Sequence, residues 1–326
     1  MRQAKVTPLP EGINLEGETV VITGASAGMG LETARQMLRL RCSTMVLAVR
    51  NVSKGEECVQ QLEQDPVIQS NKPTIKVLKL DVGQYDSVQE FTKELQQKIE
   101  AVDILILNAG IGRLKLERSP TGHEETLQIN YLSNVLILSE LLPYLEASAG
   151  KTGSPTRISW VGSRMHEKGH DFEKKGPFRS DDSVFARFDD EKRFSRFSYA
   201  NSKLLCAMFM YTLAPRLDPT KIVLNMFCPG MVNTNMSDYL PLPLRVVFEG
   251  VKYLMGRPIE DGGNIYINAA VVAGPETHGK YLYDKDIQPE PSTYIKSTVG
   301  QVVQKRLWEE TMEEMKKITT LPSEFC

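Results

Sequence analysis

The chain has 326 residues, of which 41% are hydrophobic, and a formal net charge of −2. This length and apolar content predict one large α/β domain or two small ones with a full core, whereas the near-neutral charge gives no electrostatic basis for binding nucleic acid. The chain has no run of about 18 apolar residues, so no membrane-spanning helix is predicted. Residues 1–12 lack the apolar core of a signal peptide. The five cysteines are widely spread without a C-x-x-C pair, which predicts reduced thiols and a cytoplasmic location.

A glycine-rich turn follows the first predicted strand. Thr19 to Ile22 form a short apolar run, a helical pattern covers Leu31 to Leu40, and the segment between them has the spacing G-x-x-x-G-x-G at Gly24, Gly28 and Gly30. The first glycine would allow a tight turn, and the other two would let the backbone approach a pyrophosphate at the positive end of the helix dipole. The pattern predicts a dinucleotide-binding turn, and a glycine-rich turn without a ligand is the alternative.

Nearly continuous apolar runs alternate with helical patterns along the rest of the chain. Such runs are typical of parallel strands buried on both faces, and they lie at Thr44 to Val49, Ile75 to Leu80, Val102 to Leu107, Arg157 to Val161 and Ile222 to Phe227. The alternation predicts a doubly wound parallel sheet of the α/β class in a single domain. We place an irregular lead-in at residues 1–17, the domain at 18–290 and a helical extension at 291–326.

Small and polar residues follow several predicted strands, at the edge where open α/β sheets bind ligands. Asn108-Ala109-Gly110 would leave room for a ribose, Ser163 could hydrogen-bond a substrate oxygen, and Pro229-Gly230 follows the sixth strand. Asn130 lies inside a long helical pattern, where asparagine is unfavourable unless its side chain has a task. A serine in the position of Ser163 could equally cap a loop.

Tyr199 and Lys203 open another helical pattern and, four residues apart, share one helix face. A free phenol has a pKa near ~10, and a neighbouring ammonium group favours the phenolate and lowers that pKa. A tyrosine with a lowered pKa is a usable general acid at neutral pH. Tyr-x-x-x-Lys spacing also occurs by chance, so the pair indicates a catalytic site only in combination with the other motifs.

Two long segments after strand ends interrupt the alternation. Residues 164–197 hold six of the eleven phenylalanines, and residues 235–262 hold a Leu-Pro-Leu-Pro-Leu run followed by an amphipathic helical pattern. We expect both segments near a substrate pocket, with residues 237–257 as a mobile lid, and ordinary packing on the core is the alternative. The apolar face of residues 237–257 could also be buried on a second subunit or on a membrane surface, although its few basic residues weaken the membrane option. Residues 166–170 spell H-E-x-x-H, but Gly169 and the absence of an apolar helical pattern favour a polar loop over a zinc site, so no metal is expected.

Jointly and in order, these motifs resemble those of the short-chain dehydrogenase/reductase family, over about residues 17–285. The matching elements are the glycine pattern, Asn108-Ala109-Gly110, Asn130, Ser163, Tyr199, Lys203 and Pro229-Gly230. The resemblance implies a Rossmann-type fold. Within the family, the segments that look most like the retinol-dehydrogenase-like branch are Leu47 to Asn51, Lys54 to Glu56 and His278 to Tyr281.

Two features depart from the family pattern. Gly162 stands where a first serine is usual, which should be harmless if Ser163 is the catalytic serine. The gap between Ser163 and Tyr199 is longer than in typical members, which leaves the shape of the substrate pocket open.

The resemblance implies a role for each matching residue. Tyr199 donates or takes the proton, and Lys203 lowers the pKa of Tyr199 and holds the nicotinamide ribose. Ser163 binds the carbonyl oxygen, and Asn130 positions a water in a proton relay. The expected cofactor contacts are Gly24, Ser26, Ala27, Gly28, Met29, Gly30, Arg50, Asp81, Val82, Asn108, Ala109, Gly110, Tyr199, Lys203, Pro229, Gly230, Val232 and Thr234. The expected substrate contacts are Ser163, Tyr199 and Phe248.

Arg50 indicates which dinucleotide binds. An acid after the second strand would bind the adenosine 2′-hydroxyl of NAD, whereas an arginine accommodates the 2′-phosphate of NADP. Ala48-Val49-Arg50 offers a cation and no acid. The sequence therefore favours NADP.

The combined prediction is an NADP-dependent oxidoreductase of secondary metabolism. It would reduce a ketone or aldehyde, or oxidise the alcohol, of a medium-to-large apolar substrate such as a polyketide, terpenoid, steroid-like or retinoid compound. A homodimer follows by analogy, since family members often pair through the helices that hold Asn130 and Tyr199. The alternatives are a redox-inactive NADPH-binding protein and a non-redox cyclase or isomerase.

Overall fold

An eight-stranded sheet runs through the centre of the computed structural model, which describes residues 3, 5–168, 171–172, 178, 182–234 and 241–325, without the side chains at 168, 244 and 247. The strand order is β3-β2-β1-β4-β5-β6-β7-β8, and every neighbouring pair is parallel except β7 and β8. The strands are β1 (Thr19–Thr23), β2 (Thr44–Val49), β3 (Thr74–Lys79), β4 (Ile104–Leu107), β5 (Thr156–Val161), β6 (Ile222–Cys228), β7 (Tyr281–Tyr283) and β8 (Asp286–Gln288). This sheet confirms the predicted doubly wound α/β fold.

Helices cover both faces of the sheet. They are α1 (Gly28–Arg39), α2 (Val52–Glu63), α3 (Pro66–Asn71), α4 (Tyr85–Lys98), α5 (Glu125–Leu127), α6 (Ser133–Thr152), α7 (Met165–Lys168), α8 (Ala186–Asp189), α9 (Ser198–Leu213), α10 (Leu242–Met255), α11 (Ile259–Ile267), α12 (Thr293–Lys296) and α13 (Thr298–Met315). A π-helical turn, Gln128–Leu132, joins α5 to α6. Within the described ranges, none of these helices has the length and apolar character needed to cross a membrane.

Alternate residues of the central strands face opposite layers. Val21 belongs to a core shared with α4, α6, α9 and α13, whereas Val20 and Ile22 belong to a core shared with α1, α2 and α11. All three side chains are fully buried. Because both faces of the sheet are covered, the strand sequences are continuous apolar runs and do not alternate between apolar and polar residues.

Three elements differ from the sequence prediction. The patterns do not predict β7 and β8, because strands of three residues are too short to show a period. Helix α1 begins at Gly28 and not at the predicted Leu31, so the last two glycines of the turn lie in its first turn.

Several described residues of the segment 164–197 pack on the core. Four of its phenylalanines are at most 8% exposed, namely Phe172, Phe178, Phe185 and Phe188. Glu310 of α13 accepts hydrogen bonds from the backbone N–H groups of Val184 at 2.9 Å and Phe185 at 3.1 Å. The extra length before Tyr199 therefore provides contacts with the C-terminal helix, which the sequence does not predict.

Helix α13 covers the outer surface of α9 and of the π-helical turn. The ring of Trp308 stacks on Phe209 with centroids 5.3 Å apart. The hydroxyls of Tyr131 and Thr311 lie 2.7 Å apart. These parts of the two elements are occupied by the same chain and are not available to a second copy.

His123 links three segments of this layer. Its Nδ1 lies 2.8 Å from Asp189 Oδ2 at the end of α8, and its Nε2 lies 3.4 Å from Glu314 Oε1 in α13. Burial alone would lower the pKa of His123, but the two carboxylates outweigh burial and raise that pKa to about 9. The hydrogen bond from His123 is in turn the main reason that the pKa of Glu314 falls to about 2.

We expect this triad to make stability depend on pH. The contribution of His123 is complete below its ordinary pKa of 6.5 and is lost as the pH rises through about 9. The contribution of Glu314 is complete above its ordinary pKa of 4.5 and is lost as the pH falls towards 2. His123→Gln should lower the free energy of unfolding by about 1.5–3 kcal/mol at about pH 6, and should flatten its dependence on pH between 6.5 and 9. Urea denaturation at several pH values measures both effects.

His278→Gln is the matched control. The His278 ring lies 2.8 Å from the Ala214 carbonyl oxygen and accepts the Leu224 N–H at 3.3 Å, so its hydrogen bonds within the described residues go to the backbone. This variant should keep the wild-type dependence of stability on pH. The same dependence in His123→Gln would contradict the role given to the triad.

Candidate functional site

The glycine-rich turn packs directly against the end of β4. Gly24 has a φ of +69°, and a Cβ there would lie 3.1 Å from the Ala109 Cα. A Cβ on Gly30 would lie 2.7 Å from Asn108 Nδ2 and from the Gly24 carbonyl oxygen. Glycine is therefore needed at both positions, because side chains would push the turn away from β4.

The first turn of α1 presents free donors at the carboxyl edge of the sheet. Its N-cap is Ala27, which makes no side-chain capping hydrogen bond, so the N–H groups of Gly28 and Met29 have no partner within the helix. Gly28 has a φ of +55°, and a Cβ there would meet nothing within 4 Å. Ser26 lies just before this turn, and its carbonyl oxygen accepts from Cys58 Sγ at 3.4 Å. Open backbone donors at a helix N-terminus fit a pyrophosphate.

The side chains that follow the second and third strands differ in whether they are already hydrogen-bonded within the protein. Arg50 directly follows β2, is exposed, and has no hydrogen bond or ion pair within the part of the chain that the structure describes. Asp81 follows β3, where its carboxylate accepts from the Gly83 N–H at 2.9 Å and from Gln84 Nε2 at 3.0 Å. The carbonyl oxygen of Val82 accepts from Ser133 Oγ at 2.5 Å. Arg50 is thus free to bind an anion, whereas Asp81 and Val82 shape a turn.

Asn130 lies in the π-helical turn and is fully buried. Its Oδ1 accepts from the Ile111 N–H at 2.8 Å, and its Nδ2 donates to the Ile111 carbonyl oxygen and to Ser202 Oγ, both at 2.9 Å. A Cβ on Gly110 would lie 3.1 Å from Asn130 Oδ1 and 3.6 Å from Lys203 Nζ. The Asn130 side chain therefore makes the specific hydrogen bonds that its unfavourable position within a helix predicts. It also lies close to Lys203.

Tyr199 and Lys203 occupy the first turns of α9. The Lys203 Nζ lies 5.9 Å from the centre of the Tyr199 ring and donates to the Val161 carbonyl oxygen at 2.8 Å. Lys203 is 3% exposed, and burial lowers its pKa. The ammonium group is therefore held by the end of β5 and directed towards the same edge of the sheet as the tyrosine.

Ser163 follows the end of β5 and is partly exposed. Its Oγ accepts from the Met165 N–H at 3.2 Å. A Cβ on the preceding Gly162 would lie 2.8 Å from the ring of Tyr281 and 2.9 Å from Met226 Cγ. The departure from the family pattern at Gly162 thus has a packing reason, and it leaves Ser163 in place.

Other segments hold the loop after β6, which contains Pro229, Gly230, Val232 and Thr234. Gly230 has a φ of +74°, and the Oε1 of Gln3 occupies the space that a Cβ would need. Val232 forms a parallel bridge with Arg257. These contacts tie the loop to the residues that follow α10.

Helix α10 confirms the predicted helical pattern, but it begins at Leu242, between the two prolines, and not after them. Lys252 donates to the Thr234 carbonyl oxygen at 2.5 Å, so the carboxyl end of the helix is fixed to the loop after β6. Leu242 is 73% exposed at the other end, Phe248 is 38% exposed, and Leu254 is 73% exposed. Leu254 therefore does not pack on the core. Residues 237–240, which begin the predicted lid, lie outside the described residues.

The H-E-x-x-H segment is not the polar loop that the sequence predicts. His166 and Glu167 lie in the short helix α7, and His166 is 2% exposed, with Nδ1 2.7 Å from the Ser163 carbonyl oxygen. Its ring packs on Tyr281 with centroids 4.6 Å apart. His170 lies outside the described residues. No group of three metal-ligating side chains occurs in the described part of the chain.

The four predicted catalytic residues lie on elements that end or begin at one edge of the sheet. Ser163 and Tyr199 are partly exposed, whereas Asn130 and Lys203 are buried. Sequence reasoning missed Thr23, whose Oγ1 accepts from the N–H groups of Asn108 at 2.9 Å and Ala109 at 3.0 Å. Its signal is its place at the end of β1, directly before Gly24. Sequence reasoning also missed Ser202, which hydrogen-bonds Asn130, and Tyr266, which hydrogen-bonds Asn108. No pattern in the neighbouring sequence indicates either contact.

Solved structures of oxidoreductases share this fold. The L-sorbose reductase from Gluconobacter frateurii complexed with NADPH and L-sorbose matches with a TM-score of 0.62 and 18% identity, over 86% of this chain and 99% of that one. An NADH-dependent reductase, A1-R', complexed with NAD, matches with a TM-score of 0.60 and 18% identity, over 82% of this chain and 95% of that one.

Fungal relatives are much closer in sequence. The short chain dehydrogenase macD of Penicillium terrestre is 61% identical over 99% of this chain and 98% of its own length. The short chain dehydrogenase yanD of Aspergillus niger is 58% identical, and the short-chain dehydrogenase/reductase tropG of Talaromyces stipitatus is 55% identical, each over 99% of this chain and 98% of the relative. The family model for short chain dehydrogenase matches residues 18–169. With the sheet and the edge site described above, these similarities establish that the chain is an oxidoreductase of the short-chain dehydrogenase family.

Proposed function

We propose that this protein is an NADP-dependent oxidoreductase that reduces the ketone or aldehyde group of a medium-to-large apolar substrate, or oxidises the corresponding alcohol. The main support for this proposal is the arrangement of four polar side chains. Ser163 and Tyr199 are partly exposed, the buried Asn130 and Lys203 both lie close to Gly110, and the Lys203 Nζ lies 5.9 Å from the centre of the Tyr199 ring. This arrangement lies at the same sheet edge as the open N-terminus of α1.

The residues of the site can divide the reaction between them. When bound, the nicotinamide supplies or accepts the hydride at the substrate carbon. In reduction, Tyr199 gives its phenolic proton to the carbonyl oxygen, and Ser163 hydrogen-bonds that oxygen. The Lys203 ammonium favours the phenolate that remains. Asn130, which bridges Ile111 and Ser202, would hold the water that returns a proton to Tyr199.

Two observations support the choice of cofactor. The N–H groups of Gly28 and Met29 are free to bind the pyrophosphate. Arg50, exposed at the end of β2, offers its guanidinium to the 2′-phosphate of NADP, and no acid lies beside it in Ala48-Val49-Arg50. The NADPH complex of L-sorbose reductase and the NAD complex of the A1-R' reductase indicate that both cofactors occur on this fold.

Apolar side chains beside the exposed catalytic pair support an apolar substrate. Met165, close after Ser163, is 44% exposed, and Phe197, close before Tyr199, is 43% exposed. An apolar patch beside polar groups is a feature of ligand-binding grooves, and these two side chains would supply part of such a patch. Polyketide, terpenoid, steroid-like and retinoid carbonyls all have this character, and a fungal product of secondary metabolism fits the organisms of the relatives.

A panel of ketones, aldehydes and alcohols tests the proposal. Each compound is incubated with the full chain and NADPH or NADP, with NADH and NAD in parallel, and products are identified by mass spectrometry. We expect NADPH oxidation that matches the amount of alcohol formed from an apolar carbonyl. Tight NADPH binding without oxidation over the panel would overturn the proposal in favour of a redox-inactive protein. Product formed without a change in cofactor oxidation state would overturn it in favour of a cyclase or isomerase.

We further propose that α10 is part of a lid over the substrate. Lys252 fixes the helix to the loop after β6, whereas Leu242 and Leu254, near its two ends, are each 73% exposed, so α10 packs loosely and Lys252 supplies its anchor. Phe248→Ala should raise KM and change substrate preference with little change in melting temperature. Hydrogen exchange over residues 241–257 should slow when an unreactive substrate analogue joins NADPH.

Tyr253→Ala is the control on the same helix. Tyr253 is 85% exposed and lies about 140° around the helix from Phe248, so its loss should leave KM unchanged. A lower melting temperature in Phe248→Ala with wild-type KM would assign Phe248 to fixed packing and contradict the lid.

A further inference from the structure

Helix α11 approaches the glycine-rich turn from the opposite side to the catalytic residues. It packs against α1, and side chains of α1 fill the space beside two of its glycines. A Cβ on Gly262 would lie 2.8 Å from Met29, and a Cβ on Gly263 would collide with the amide of Gln36. The contact brings Tyr266 of α11 to the carboxyl edge of β4.

Tyr266 completes a hydrogen-bond chain that ends at the glycine-rich turn. It is 2% exposed, and its hydroxyl donates to Asn108 Oδ1 at 2.8 Å. The Nδ2 of Asn108 donates to the carbonyl oxygens of Thr23 at 2.8 Å and Gly24 at 3.3 Å. The three hydrogen bonds of the Asn108 side-chain amide therefore join it to the glycine-rich turn and to Tyr266.

The direction of these hydrogen bonds fixes the Asn108 amide. Its two donors must face the carbonyl oxygens of the turn, so its acceptor needs a donor on the other side, which the Tyr266 hydroxyl supplies. Burial raises the pKa of Tyr266 well above its ordinary value, and charge on Tyr199 raises it further, so the hydroxyl keeps its proton. The Tyr266 ring meets Phe227 edge to face with centroids 4.7 Å apart, which holds the hydroxyl in place.

We infer that Tyr266 is a positioning residue for the cofactor, which acts through Asn108 to hold the glycine-rich turn in the shape that receives the pyrophosphate. This inference rests on the proposed function for the identity of the ligand. Without the hydroxyl, Asn108 Oδ1 loses its donor, and the amide is free to rotate away from Thr23 and Gly24. The turn would then spend less time in the binding shape, which weakens the cofactor without changing the groups that transfer the proton.

Tyr266→Phe tests the inference, because it removes the hydroxyl and keeps the ring against Phe227. We expect the Kd for NADPH, measured by fluorescence titration, to rise about three- to tenfold, with kcat at saturating NADPH unchanged. Hydrogen exchange of residues 23–31 without any cofactor should be faster than in the wild type. A positioning role predicts both effects, whereas a purely structural role would change the melting temperature alone.

Tyr144→Phe is the matched control. Its hydroxyl donates to the Ile99 carbonyl oxygen, also at 2.8 Å, at the opposite edge of the sheet. This variant should keep the wild-type Kd and the wild-type exchange of residues 23–31. The inference is overturned if Tyr266→Phe keeps both wild-type values, or if Tyr144→Phe changes them equally. A wild-type chain that binds no NADPH would refute the proposed function, and the exchange comparison would still test the action of Tyr266 on the turn.

Discussion

Tyr199→Phe should lower kcat at least ~10²-fold and leave the Kd for NADPH nearly unchanged. The variant removes only the phenolic oxygen, which is the proton donor to the substrate, and keeps the ring near the Lys203 ammonium group, 5.9 Å from its centre. Because Lys203 donates to the Val161 carbonyl oxygen and the variant keeps the aromatic ring, the ammonium group should stay in place. Steady-state rates and a fluorescence titration with NADPH separate the two quantities.

Tyr211→Phe provides the control for that substitution. Tyr211 lies on the same helix, packs against the core away from the turn that holds Lys203, and should tolerate the change with wild-type kcat. Turnover by Tyr199→Phe at the wild-type rate would remove Tyr199 from its role as the acid. A large loss of NADPH binding in this variant would instead place the phenol in the cofactor site.

Arg50→Ala should weaken NADPH much more than NADH. A charge-assisted hydrogen bond to the 2′-phosphate contributes about 1.5–3 kcal/mol, so the Kd for NADPH should rise about 10- to 150-fold. The Kd for NADH should change little, because NADH has a hydroxyl at that position. Dissociation constants of both cofactors for the wild type and the variant measure the difference.

Arg41→Ala is the control at the other end of the same strand. Arg41 precedes β2 and pairs with Glu16 at 2.9 Å, far from the carboxyl edge, so its loss should leave both dissociation constants unchanged. An equal effect of Arg50→Ala on the two cofactors would mean that Arg50 does not bind the phosphate. Tight NADH binding by the wild type would overturn the choice of NADP itself.

Local patterns were sufficient to predict the fold. The buried strands, the glycine-rich turn and the spacing of Tyr199 and Lys203 each depend on neighbouring residues, and the structure has them where the sequence predicts them. The strands β7 and β8 were missed because each is too short to carry a period. The phenylalanines of residues 164–197 were expected near a pocket, but composition alone does not show which surface they cover, and four pack on the core.

By itself, the sequence determined the class of the fold, the edge of the sheet that holds the site and the types of side chain placed there, since these follow from hydrophobic period and from residues a few positions apart. Only the tertiary structure decided which side chains meet. Asn130 meets Ser202 across 72 residues of sequence, Lys203 meets Val161 across 42, and Tyr266 meets Asn108 across 158. A hydrogen bond between residues so far apart leaves no local pattern, because it forms only when the packing of sheet and helices brings the two atoms within reach.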